Sequence, residues 1–489
     1  MNTQMKTFNS NTCRILFATC LSALCLIALS TQAATITVTN TNDSGAGSLR
    51  QSIADAVNGD TIDFGVTGTI TLTTGELLVD KSITIHGPGP DHLTVDGNHA
   101  SGVFQVQVGG GGTATIAGLT ITNGVANRGG GIYNESSTLT VSNCTISSNS
   151  APDAFGVGGG IFNDVSFSNG TLEVLNCTIG GNSAGDNGGG IYNYGGSRTA
   201  TLKVLNSTLS GNSAHFYGGG IYNLSAYGGS SPLDIFHSTF SDNSAFQGPS
   251  GGIANFSGTV QLGSTILNAS SISNGSGTIT SLGYNLSSDN AGGFLTATGD
   301  QINTTPLLGP LQDNGGPTLT HALLTGSPAV DTGDPNFDPN AFNPPMLNDQ
   351  RGAGYDRVAH GRVDIGAFEV QIVTPNYAGQ VQPPINADGS STFNVRRGVV
   401  PVRFNLTLGG VATCELPAAT IAVTRTAGGV IGQVNESDYS GNADTGSNFR
   451  IGSCQYAYNL NARALGAGTY RIDILIDGQV VGSAIFGLN

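Results

Sequence analysis

The sequence predicts an all-β chain: a parallel β-helix with a short N-terminal cap helix, followed by a β-sandwich. Three observations predict it. First, "GGGIYN" at Gly129 returns as "GGGIFN" at Gly158, as "GGGIYN" at Gly188 and Gly218, and as "GGIAN" at Gly251. Ile132, Ile161, Ile191, Ile221 and Ile253 are therefore spaced by 29, 30, 30 and 32 residues, a period that marks a solenoid or a propeller. Second, the stretches between these blocks alternate apolar and polar residues, are rich in β-branched side chains and leave no room for a crossover helix. Third, prolines cluster just after Ile372, and strand-like alternation then resumes with a different spacing.

Residues 1–33 read as an export signal. Lys6 and Arg14 give the positive start, Ile15 to Ser30 the apolar core, and "STQAA" the small residues for cleavage after Ala33. No later apolar run reaches the ~18 residues of a membrane span. Removing the leader leaves 456 residues with 15 basic against 32 acidic side chains. That balance sets the chain against a nucleic-acid partner, because binding phosphates needs a basic face.

Residues 34–81 should form the N-terminal cap and first strands. Leu49, Ile53 and Val57 lie on one stripe of a short helix, which Gly59 is placed to end. Residues 82–285 are the β-helix repeats, and 286–371 the C-terminal part of the β-helix region. A propeller fits less well, since its blades need four antiparallel strands and ~40 or more residues.

The repeats align as "TLTVSNCTISSNSA" (Thr138–Ala151), "TLEVLNCTIGGNSA", "TLKVLNSTLSGNSA" and "PLDIFHSTFSDNSA". Leu139 and Val141 alternate in phase, and Cys144 and Ile146 are one residue out of phase. Asn143 sits at the break, where its tolerance of left-handed angles turns the chain. Stacking coils at about 4.8 Å places equivalent residues in ladders. Three are expected: Asn143, Asn176 and Asn206; Asn149, Asn182, Asn212 and Asn243; and Asn134, Asn163, Asn193, Asn223 and Asn255. Cys144 and Cys177 fall at one small inward site. Two buried, unreactive thiols are expected there, with a bridge between them as the alternative. The glycine run is not a phosphate cradle, because Ile, Tyr and Asn follow where a P-loop has Lys and Ser or Thr.

Tyr133, Phe162, Tyr192 and Tyr222 follow the inward isoleucines, so alternation puts them outside. They are the candidate ligand-binding residues, an aromatic stripe able to stack on sugar rings. The competing reading is a ladder that only stabilises the sheet. The acids of the regular coils are Glu135, Asp153, Asp164, Glu173, Asp186, Asp234 and Asp242. No two share a rung by this alignment, and Arg128, Arg198 and Lys203 form no set beside one. A glycosidase needs two carboxyls across one bond, and a lyase a base beside its substrate, so catalysis is not expected. Asp91, His92, Asp96 and His99 read as turn residues. No cofactor is expected. Asp331, Asp334 and Asp338 in "DTGDPNFD" are candidate calcium ligands. The alternative is turn capping with ion pairs to Arg351, Arg357 or Arg362.

The start "TVTNTNDSGAGSLRQSI" resembles secreted bacterial β-helix proteins. "DNGGPTLTHALLTGSPAVDTGD" and "DQRGAGYDRVAHGRVDIGAFE" resemble the choice-of-anchor Q domain, and the "GGGIYN" and "NSA" blocks are similar to the repeats of polymorphic outer membrane proteins. The resemblance spans about Thr35 to Val370. It implies a right-handed, pectate-lyase-like β-helix exported to the cell surface or beyond. Insertion in an outer membrane is not expected, since the final β-barrel of those proteins has no counterpart here.

Residues 372–391 read as a linker and 392–489 as the sandwich. The latter resembles an Ig-like family named for a Pro-x-Lys-Phe motif, here Pro401, Val402, Arg403 and Phe404, with Arg in place of Lys. In such an exported module Cys414 and Cys454 would form an inter-sheet disulfide, with two unpaired thiols as the alternative. The function expected is non-enzymatic adhesion, or binding of an extracellular polysaccharide or surface protein. A polysaccharide lyase or hydrolase of the same fold is the runner-up. A spacer presenting the C-terminal module is the third reading.

Overall fold

The computed structural model describes residues 33–489 except 110, 249, 372–376, 415, 435–442, 445 and 477. The expected signal segment, apart from Ala33, lies outside the described residues. The chain divides into two compact units, Met1–Ile372 and Val373–Asn489, each folded around its own core. No helix among the described residues is long and apolar enough to cross a membrane.

The first unit is a right-handed parallel β-helix. Its strands stack into ten-, eight-, nine- and four-stranded sheets. One coil shows the pattern: Ile161–Asp164 in the eight-stranded sheet, Gly170–Leu175 in the ten-stranded, Thr178–Gly180 in the nine-stranded and Ser183–Ala184 in the four-stranded. Ile132, Ile161, Ile191, Ile221 and Ile253 pair in unbroken register and are fully buried. That column follows from period-2 alternation, with every second residue facing the core.

The bends fall where expected. Asn143, Asn176 and Asn206 have φ of 50–52°, and His237 takes the next equivalent place at 47°. Glycine is required for two reasons. Gly188 sits at φ +70°, while a Cβ on Gly189 would lie 2.3 Å from the Ser213 carbonyl oxygen of the next coil. The run lets coils lie close and makes no anion cradle.

Two of the three asparagine ladders are continuous. Asn149, Asn182, Asn212 and Asn243 pass Nδ2–H to Oδ1 at 2.9–3.0 Å. Asn134 through Asn255 do so at 2.7–2.9 Å and continue to Asn274. Buried amides are thus paired along the stack, as burial requires. In the third ladder Asn206 donates to Asn176 at 2.7 Å. Cys144 and Cys177 are buried and free, and burial pushes the Cys177 thiol up.

Three boundaries differ from the sequence reading. The cap helix, α1, spans only Leu49–Asp55, so Leu49 and Ile53 are buried while Val57 is exposed. The chain is already extended at Ala56, whose side chain takes the inward place expected of Val57. The coils end at Thr278–Gly283 and Leu286–Ser287. Beyond them the chain turns back along the nine-stranded sheet. There Thr178 Oγ1 donates to the Leu319 carbonyl at 2.6 Å, and Thr208 Oγ1 to Gln350 Oε1 at 2.6 Å. Much of 286–371 is therefore a cover over that sheet, including an antiparallel hairpin, Leu308–Gln312 with Thr320–Leu323. Finally, Tyr377–Gln382, read as linker, is a strand paired along six residues with Val399–Leu408.

The second unit holds two five-stranded sheets around Phe404, Tyr456, Tyr458, Tyr470 and Phe486, a β-sandwich. Val402 and Phe404 of the "PVRF" run point into the core and Arg403 points out. Cys414 and Cys454 are bonded, but not between sheets. They follow Val411–Thr413 and Arg450–Gly452, both strands of one sheet.

Candidate functional site

Alternation along the eight-stranded sheet turns two residue columns outward. Tyr133, Phe162, Tyr192 and Tyr222 form one, in register. Glu135, Asp164, Tyr194, Leu224 and Phe256 form the other, two residues further on. Ring centroids in the first column are 5.5, 5.1 and 5.1 Å apart. The rings pack on one another and on Val157, Tyr194, Tyr217, Leu224 and Phe256, which leaves Phe162 at 4%, Tyr222 at 7% and Tyr192 at 8% exposure. The stripe faces outward but is a satellite core. Its ring faces are spent on each other, so the stacking platform expected from Phe162, Tyr192 and Tyr222 is not open. Burial, with Asp164 and Glu135 adding to it, pushes the Tyr133 hydroxyl up to about 12.

The open aromatic surface lies beside the stripe. A cavity of about 470 Å³ is lined by Arg128, Phe155, Asp164, Ser166, Tyr192 and Tyr194, among others. That volume falls in the ~300–1,000 Å³ range of ligand sites. Phe155 is 87% exposed on the loop that leads into the glycine run at Gly158. Asp164 anchors the polar end. It accepts from the Tyr133 hydroxyl at 3.2 Å and from the Ser166 amide at 3.0 Å, and Arg128 stands 3.9 Å away. Aromatic faces beside a few fixed polar groups can hold a ligand with one apolar and one hydroxylated side.

The repeat alignment misplaced two sets of charges. Glu135 and Asp164 are partners on adjacent coils, and Arg128 flanks the second of them. Glu173, Lys203 and Asp234 share a rung of the ten-stranded sheet, with a 2.7 Å ion pair between the first two. Both were visible in the sequence. "IYNE" and "IFND" put the acids at one repeat position, and "TLEV", "TLKV" and "PLDI" do the same. The second outward column needed only the same alignment read two residues further. Phe155 carries no repeat signal, because its loop varies in length from coil to coil.

The calcium candidates do not converge. Asp334 accepts from the Asn336 amide at 2.9 Å, and Asp338 from the Asn340 amide at 2.9 Å. Both are turn caps, while Asp331 lies 3.8 Å from His360. No group of three metal-ligating side chains occurs among the described residues. The arginines are used elsewhere: Arg351 pairs with Asp349 at 2.6 Å, Arg357 binds His237 and two carbonyls, and Arg362 binds the Thr332 and Gly333 carbonyls. Asp91, His92 and His99 sit in turns, while Asp96 ends the strand Leu93–Asp96 and accepts from the Asn98 amide at 2.7 Å.

Residues 30–247 match the family described as "Protein of unknown function (DUF1565)", which is associated with right-handed β-helix proteins. No curated protein matches the sequence. Among solved structures, the chain described as "Geobacillus virus E2 - ORF18" aligns at 12% identity and a TM-score of 0.33. The alignment covers 62% of this chain and 62% of that one, less than two-thirds of its length.

Proposed function

We propose that this is an exported, cell-surface β-helix protein that binds carbohydrate on the eight-stranded sheet without chemically changing it. The observation that carries the reading is the cavity of about 470 Å³, which joins the exposed ring of Phe155 and the partly buried ring of Tyr194 to the Arg128–Asp164 pair. Sugar rings present apolar C–H faces and hydroxyl edges, and this lining offers a counterpart to each. The Ig-like relationship of the second unit and its attachment to a surface belong to the same proposal. Glycan-array binding by the full chain tests it. Tyr194→Ala should weaken binding at least tenfold with the fold intact, whereas unchanged binding removes the site.

A second reading is favoured by one observation. Glu135 and Asp164 share a rung beside Arg128, the residue types a polysaccharide hydrolase or lyase uses. A screen of polysaccharides for new reducing ends and for unsaturated products separates the two readings. Turnover that disappears in Glu135→Gln supports the enzyme, and no turnover on glycans that bind supports the binding protein.

A further inference from the structure

The charge around the cavity is lopsided. Arg128 is the only cation lining it among the described residues, and it already stands 3.9 Å from Asp164. Glu135 is next to Asp164 in register and is held by Gln105 Nε2 at 3.2 Å. Asp186 lies on the loop between Ala184 and Gly188, close enough to raise the hydroxyl pKa of both Tyr192 and Tyr222. His215 is a basic group near Asp186. Asp164 thus lines the cavity, Glu135 is its neighbour in register, and Asp186 lies beside the Phe155 loop, where its amide donates to the Gly156 carbonyl at 2.8 Å; one paired guanidinium answers them, on a chain whose formal net charge is −15.

Asp164 is already engaged within the chain. Its oxygens take the Tyr133 hydroxyl, the Ser166 amide and the Ser166 hydroxyl. The ligand's recognition therefore falls to the Phe155 and Tyr194 rings and to hydrogen bonds with the rim.

We propose that the cavity selects glycans that carry no anionic group, such as β-linked neutral hexose oligomers, and rejects uronate oligomers. This rests on the carbohydrate reading above and adds its specificity. A carboxylate on every sugar would face Asp164, Glu135 and Asp186 with only one partly neutralised cation to answer them. Like charges disfavour such a complex most at low ionic strength and less as salt screens them. A neutral oligomer loses nothing to this field and keeps the ring contacts.

The test is calorimetric titration of the full chain with cellohexaose and with hexagalacturonate, at low salt and at about 0.5 M salt. The neutral oligomer should bind with the same Kd at both. The uronate should bind at least tenfold more weakly at low salt, about 1.4 kcal/mol, and the gap should narrow at high salt. Asp186→Asn combined with Glu135→Gln should narrow the low-salt gap too, with thermal unfolding confirming an unchanged fold. Uronate binding as tight as the neutral oligomer, or a gap indifferent to salt and to these substitutions, overturns the selection and leaves the binding site standing. Binding of neither class overturns both.

Discussion

Along the nine-stranded sheet Thr145, Thr178, Thr208 and Thr239 pair in one column; along the eight-stranded sheet Tyr133, Phe162, Tyr192 and Tyr222 do. The backbone construction is the same and the outcome is opposite. The threonine hydroxyls are bonded by the chain's own cover: Thr178 to Leu319, Thr208 to Gln350, and the Ala367 amide to Thr239 at 3.0 Å. The aromatic rings pack on each other and draw no such segment over themselves. A buried hydroxyl needs a partner, whereas a ring is satisfied by another ring. The cover thus follows the hydroxyl column, and it also packs Met346, Phe337 and Phe342 on Leu175, Leu205 and Phe236.

The sharpest way to break the contrast is Gln350→Leu. Its buried amide donates to Thr178, Thr318 and the Leu319 carbonyl and accepts from Thr208. Losing it strands several buried groups, at about 3 kcal/mol or more. Denaturant unfolding should show that loss, and limited proteolysis should cut within 308–369 before it cuts the coils. On the other face, Tyr192→Ala should cost about 2 kcal/mol, below the range for central core rings because the stripe lies at the surface. It should leave the protease sensitivity of the cover unchanged.

How much of this was legible in the sequence follows from the same contrast. A column repeated at one position, such as Ile132 to Ile253 or the asparagine ladders, is readable because every coil repeats the same physical demand. "DQRGAGYDRVAHGRVDIGAFE" could be seen as a distinct motif but not placed. Gln350 meets Thr178, 172 residues away, and no local pattern encodes so distant a contact. The burial of Phe162 and Tyr192 was missed for a related reason. Alternation says which way a side chain points, and the next column and neighbouring loops decide whether anything covers it.

The cover also holds a buried carboxyl with a raised pKa. Burial pushes the Glu369 carboxyl up from 4.5 to about 7, with Arg357 opposing and Asp364 adding to the shift. Its stabilising contribution is full below the ordinary carboxyl value and is lost as pH rises through about 7. Wild type should therefore lose stability relative to Glu369→Gln between those pH values, with a slope on the order of 1 kcal/mol per pH unit. His237 and Asp364 remain in both proteins, so their own contributions largely cancel in the difference. Equal slopes would place the carboxyl outside the balance. Smallest of all, Phe155→Ala should change stability by no more than about 0.5 kcal/mol, since that ring stands in solvent.

The central claim is that the aromatic face receives a glycan and the covered face does not. Hydroxyl-radical footprinting of the full chain, with and without saturating cellohexaose, tests it most directly. Protection should appear at Phe155 and Tyr194 and be absent along 308–369. Unchanged labelling at Phe155 and Tyr194, or protection confined to the exposed Val411 and Ile451 of the second unit, would contradict it.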